Sequence, residues 1–293
     1  MTRAPTTKPT PPSRAAPAAK AATAPAKPRA RVGIGEIPTG QGQRIGLFGP
    51  GGIGKTTMAA MLAVADERPA ACFDLDDSLP IIGPALAAAG YPGKLQVVNG
   101  IETWQQIRDA LQAAGWDDVG TIVIDSATRA EELAVAHTLA TVKNERDQFV
   151  QRIEAYGYGK GYQYVYETFL TLLGDLDAHV RAGRNVVLIM HDCTTTVPNP
   201  KGDDWLRYEP RLQSPNSGKA SIRLRVREWL DHLLFLGYDV EAKDGIGENK
   251  QSSRTIYPTE QPHCMAKSRI LRDTAQLVEF DTAVWNALLG KTE

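Results

Sequence analysis

The stretch that most restricts this chain is GPGGIGKTT, Gly49–Thr57, entered from the apolar run RIGLFG and left through the helix-forming run MAAMLAVADE. It fits G-x-x-x-x-G-K-[ST], with Gly49, Gly54, Lys55 and Thr56 at the fixed positions and Pro50, Gly51, Gly52, Ile53 and Thr57 completing the loop. A strand that turns at once into a helix aims consecutive backbone N–H groups and the helix N-terminus into one anion-sized hollow. Glycine is needed because the backbone takes conformations that a Cβ blocks and must approach phosphate oxygens closely. The pattern predicts that Lys55 reaches the β- and γ-phosphates of a triphosphate and that the Thr56 hydroxyl is a Mg2+ ligand.

From about residue 32 onward, apolar runs alternate with helical periodicity, which predicts an α/β fold with a mostly parallel sheet covered on both faces. Strands are expected at Arg44–Phe48, Ala71–Leu75, Leu95–Val98, Thr121–Ile124 and Asn185–Met190. Helices are expected at about Lys55–Ala65, Thr103–Ala114, Arg129–Val142 and Tyr164–Arg181, with a short one near Ser221–Trp229. The stretch NPKGDDWLRYEPRLQSPNSG reads as a long polar loop. HLLFLGYDVEA, SRTIYPT and HCMAKSRIL read as antiparallel strands continuing the sheet, and AQLVEFDTAVWNALL as a closing strand or turn and a short helix.

Chemistry is expected at the C-terminal edges of these strands, where open α/β sheets bind ligands. TIVIDS places Asp125 there, as the acid that holds Mg2+ through water. Ser126 follows it, so a hydrolytic base must come from elsewhere. In FDLDDS, Asp74, Asp76 and Asp77 crowd the next strand end, and one of Asp76 and Asp77, with Asp76 ahead, is the candidate base. In VVLIMHD the apolar strand runs out at Met190 into His191, a candidate sensor of the γ-phosphate, and then Asp192. The stretch YGYGKGYQYVYETFLTLL has aromatics that suit base stacking, yet Tyr162, Val165, Tyr166, Phe169, Leu172 and Leu173 follow the helical spacing of a core face.

Charge divides the chain into two parts. Its 33 Lys/Arg and 34 Asp/Glu nearly cancel, but residues 1–31, rich in Ala, Pro and Thr, hold seven of the cations and no acid. Such a segment has little to bury and is expected to be disordered, as a nucleic-acid-binding tail or a plain linker, with residues 32–293 as the folded domain. Three scattered cysteines fit a reducing cytoplasm, and no apolar run is long enough for a membrane span.

On GPGGIGKTT, FDLDDS, TIVIDS, VVLIMHD and AKSR at 266–269, the chain from about Gly33 to Leu289 resembles the RecA-like ATPases of bacteriophages, a group associated with single-strand annealing and recombination. The resemblance implies a RecA-like nucleotide-hydrolysing domain that uses ATP and Mg2+, a homo-oligomeric ring or filament, single-stranded DNA as partner and the cytoplasm of a bacterial host. It also implies that Lys267 and Arg269 form a K-x-R element reaching the neighbouring subunit's nucleotide. Where such relatives carry a glutamate base, this chain has the shorter Asp76, which implies slow turnover. Two other readings are a nucleotide-switched protein that recruits a DNA-processing partner with little turnover, and a partition-type ATPase. The latter family's signature lysine at the second loop position is Pro50 here. Signalling ATPases that share G-G-I-G-K-T-T are normally much longer chains.

Overall fold

The computed structural model describes residues 35–36, 40–199, 201–216, 219–243, 246–278 and 281–291. The basic tail expected at residues 1–31 lies outside them. The chain divides after Pro38, and all the elements below belong to the unit Thr39–Glu293.

Strands β1 (Arg44–Phe48), β2 (Ala70–Asp74), β3 (Leu95–Val97), β4 (Thr121–Asp125) and β5 (Asn185–Met190) lie within a residue or so of the predicted runs. With β8 (His232–Lys243), β9 (Ile246–Tyr257) and β10 (Ala275–Gln276) they form one sheet in the order β10-β9-β8-β1-β5-β4-β2-β3. All pairings from β8 to β3 are parallel, and β9 and β10 continue antiparallel. The α/β fold with a mostly parallel sheet and antiparallel strands late in the chain is therefore the fold observed.

The central strands are apolar at nearly every position because helices cover both faces. Val186, Leu188, Met190, Ile122 and Ile124 face one core, shared with α3 (Trp104–Gln112), α4 (Ala127–Thr141), α5 (Lys160–Arg181) and α6 (Ile222–Trp229). Val187, Ile189, Ile45, Leu47 and Val123 face a second core under α1 (Lys55–Asp66) and α7 (Ala283–Leu289). Local chemistry sets the helix starts. Thr103 and Gln106 form a reciprocal capping box on α3, and the Ser126 and Ser221 hydroxyls accept from Arg129 N and Leu224 N at the starts of α4 and α6. The Tyr-rich stretch is largely structural: Val165, Phe169, Leu172 and Leu173 are buried, and the Tyr156 hydroxyl donates to Val142 O at 2.7 Å.

Three segments depart from the sequence expectation. LPIIGPALAA folds as α2 (Leu79–Ala88), although it has no polar face to give a helical period. The Asp74 carboxylate starts it by accepting from Ser78 N, Ser78 Oγ and Leu79 N at 2.9–3.1 Å. Part of the expected polar loop is the strand β7 (Trp205–Pro210), which forms a separate hairpin with β6 (Asp192–Val197) just before that loop. Its base is tied down where the Arg223 guanidinium donates to Glu209 Oε2 at 2.5 Å and to Thr195 Oγ1 at 3.2 Å. The third is HCMAKSRIL, which is no regular strand. Since β9 occupies the β8 edge from Phe235 onward, the segment meets β8 at one bridge, Leu233 with Lys267, and its Cys264 bridges Tyr208 and Gln261 instead.

Helix α7 closes the second core. Trp285 is buried and its indole N–H donates to Met58 O at 2.9 Å, in the first turns of α1. Trp285→Ala should lower the unfolding free energy by about 3–5 kcal/mol, as core Trp truncations do, read as a lower urea midpoint at unchanged slope. A loss below about 1 kcal/mol would mean that α7 is not integral to the core.

Candidate functional site

The loop after β1 is shaped by its packing. A Cβ on Gly49 would lie 2.1 Å from Leu236 O on β8, so only glycine lets the chain leave the strand here. Ile53 is fully buried and pins the far side of the loop. Gly54, at φ 107°, is the N-cap of α1 and offers no side-chain cap, so the first-turn N–H groups stay available to an anion. Gly51, Gly52, Gly54, Lys55, Thr56 and Thr57 line a hollow of about 340 Å3. Gly49, Pro50 and Ile53 stand behind it: the Gly49 and Pro50 carbonyls accept from Lys55 Nζ at 2.7 and 2.8 Å, and Ile53 is core. Lys55 is thus not the open surface cation that its loop position suggests. It is only 8% exposed, and burial lowers its pKa against the opposing pull of Asp192, Asp125 and Asp76.

Asp125 sits at the C-terminal end of β4, and its Oδ2 accepts the Thr56 hydroxyl at 2.6 Å. It is 4% exposed, and burial pushes its pKa up to about 6; Asp76 and Asp74 push the same way, while the Thr56 bond and Lys55 hold it back. Hydroxyl and carboxylate oxygens suit a hard divalent cation. Among the described residues no cluster of three or more His, Cys, Asp or Glu forms a metal cage. Two protein oxygens beside a phosphate hollow is the arrangement by which Mg2+, which keeps its waters, is usually bound.

The three aspartates after β2 separate. Asp74 caps α2, as described. Asp77, at φ 52°, turns into a neighbouring hollow of about 510 Å3 with Asp74 and Glu102. That hollow is larger, but it is lined by three carboxylates and no cation, so the smaller one is the better anion site. Asp76 enters the 340 Å3 hollow, where its Oδ2 lies 3.4 Å from His191 Nε2. His191 is held by its backbone, its N–H donating to Thr128 Oγ1 at 3.1 Å and its carbonyl accepting from Arg211 N at 2.8 Å. The structure therefore gathers Lys55, Thr56, Asp76, Asp125 and His191 in one hollow and leaves Asp77 outside it.

Lys267 and Arg269 do not project together from a strand. Lys267 Nζ donates to Leu230 O at 2.6 Å, Arg227 O at 3.1 Å and Glu228 O at 3.3 Å, turning under α6 to satisfy its last carbonyls. Arg269 is 65% exposed and pairs with Asp231 at 3.0 Å. Lys267 bridges Leu233, whose register partner Gly46 is the middle residue of β1, and Asp231, the partner of Arg269, precedes β8. Sequence reasoning missed Arg254 of β9, whose Nη1 donates to Ile53 O at 3.1 Å. Nothing in SSRTIY marks that residue as a neighbour of a loop two hundred positions earlier.

Asp125 has a pH signature. In the folded chain it holds its proton up to about 6, against an ordinary value of 3.8, so the folded state binds the extra proton between those values. Its contribution to stability is then lost as pH rises through that window. Asp125→Asn has no charge to bury. Without nucleotide or metal it should be more stable than wild type at pH 7, on the order of 2–3 kcal/mol, with the difference shrinking towards pH 4. Parallel pH profiles in urea titrations would show that the charge is not buried.

The family model described as an AAA domain matches residues 41–270. A crystal structure of the RadB recombinase is 14% identical, with a TM-score of 0.42 over 74% of this chain and 80% of that one. No curated protein matches. No described helix is long and apolar enough to cross a membrane.

Proposed function

The chain belongs to the AAA domain family, and from that premise we propose that it binds Mg·ATP in the hollow of Gly49–Thr57 and hydrolyses it slowly. The observation that carries the reading is the Thr56 hydroxyl on the Asp125 carboxylate, at 2.6 Å beside the Lys55 ammonium. Thr56 and Asp125 would hold Mg2+, which supplies charge neutralisation at the phosphate oxygens. The loop amides and Lys55 bind and orient the phosphates. Asp76 is the base that takes a proton from the attacking water, and His191, within 3.4 Å of it, orients that carboxylate and senses the terminal phosphate. Asp77, facing away, takes no part.

The setting proposed is DNA recombination or single-strand annealing, with single-stranded DNA as partner, the cytoplasm of a bacterial host as location and a bacteriophage as source. The motif resemblance supports it, and so does a 31-residue stretch with seven cations and no acid, which suits phosphate contacts. That stretch is proposed as a tail distinct from the ATPase domain at 32–293. A second reading, a nucleotide switch with little turnover, is favoured by Ser126, whose hydroxyl caps α4 and supplies no base directly after Asp125.

ATP turnover with and without single-stranded DNA separates the two. The first reading expects several-fold stimulation, and a fall of about 10²–10⁴ in Asp76→Asn with wild-type rates in Asp77→Asn; a flat response favours the switch. Lys55→Ala should lose ATP binding in calorimetry, and unchanged affinity would overturn the phosphate-site assignment. In a homo-oligomeric ring or filament, Arg269 is proposed to reach the neighbour's nucleotide alone, since Lys267 caps α6. Mixing inactive Arg269→Ala with inactive Lys55→Ala should then restore activity at interfaces where an intact loop meets an intact arginine. Co-assembly without recovery would leave Arg269 as partner of Asp231 only.

A further inference from the structure

The hollow has a direction. Asp76, Asp125 and His191, the groups suited to the terminal phosphate, stand at the ends of β2, β4 and β5, all on one side of β1. A triphosphate whose terminal end lies there must leave the loop on the other side of β1, over β8 and β9. On that side lies a second recess, of about 40 Å3, which shares Gly54 and Thr57 with the phosphate hollow.

Arg254 forms the wall of this recess. Its Nη1 bonds Ile53 O, and a Cβ on Gly54 would lie 3.1 Å from the same nitrogen, so the guanidinium sits directly against the loop. The backbone holds it there, since Leu277 N donates to Arg254 O at 2.7 Å. Across the β8–β9 ladder its partner is Tyr238. Leu234, Leu236 and Tyr238 alternate onto one face of β8. The two leucines pack in the core under α1, while Tyr238, past the end of β1, is 45% exposed. An arginine and an open phenol ring thus stand side by side where the nucleotide emerges. A recess of this size holds little more than a water molecule, so a purine would lie across its mouth and not inside it.

Resting on the proposed ATP site, we infer that Arg254 and Tyr238 hold the nucleoside end of the nucleotide, with the base against the phenol ring and the guanidinium plane. Both surfaces stack on flat π-systems. They give the chain its preference for a nucleoside triphosphate over a bare triphosphate, which the loop and Lys55 alone would not distinguish.

The test is calorimetric titration of the full chain with Mg·ATP and with Mg·tripolyphosphate. Wild type should bind ATP more tightly. Tyr238→Ala and Arg254→Ala should each weaken ATP about tenfold, the scale of one stacking contact, and leave tripolyphosphate unchanged. Tyr238 is exposed, so its variant reads the contact even if Arg254→Ala loosens the loop. Equal weakening of both ligands by both variants, or of neither, overturns the inference. Wild type that binds the two equally well also overturns it while leaving the phosphate site intact. Wild type that binds neither overturns the phosphate site and this inference with it.

Discussion

One hydrogen bond joins the two halves of the candidate site, and it does so across the sheet. Thr56 belongs to the helix that leaves β1, and Asp125 ends β4, yet β5 lies between those strands. The contact exists only because three parallel strands end at the same level, so that a helix N-terminus can lean over the middle one. His191 emerges from that middle strand, and Asp76 follows β2, the next strand beyond β4. A sheet of parallel strands with helices on both faces gathers its strand ends in this way without any contact between residues near in sequence.

The loop itself is held from behind. Leu236 O closes against Gly49, Ile53 is buried in the second core, and Lys55 ties back to two loop carbonyls. Its shape is therefore a property of the core and of β8. Such preorganisation keeps backbone donors aimed without a ligand to order them. The electrostatics follow from the same burial. With one ammonium set among Asp76, Asp125 and Asp192, desolvation raises the carboxylate and lowers the amine, bringing their proton affinities towards each other.

Elements whose residues carry a strong period or an unbroken apolar run were legible in the sequence: β1, β2, β4 and β5, and the helices that cover them. The loop and Asp125 were legible too, because their spacing reflects backbone chemistry. The rest depended on contacts that spacing does not encode. Helix α2 has prolines, a glycine and no polar face, and a carboxylate from the preceding strand starts it. The β6–β7 hairpin rests on Arg223 of α6. Asp76 and Asp77 look alike in FDLDDS, but a left-handed backbone at Asp77 sends them into different hollows. Lys267 reads as a free charge until the end of α6 is placed above it.

The covering of α1 by α7 also bears on how the chain is made. Trp285 reaches Met58 across 227 residues, so the helix that frames the phosphate hollow is synthesised long before its cover. At roughly 5–20 residues per second on a ribosome, the apolar side of α1, with Met58, Met61 and Leu62, waits some tens of seconds for Trp285 and Leu288. Until then α1 can pack only on the strands already made, and the part of its apolar side that meets α7 lacks its cover. The core under α1 is therefore completed only when the last helix of the chain has been translated.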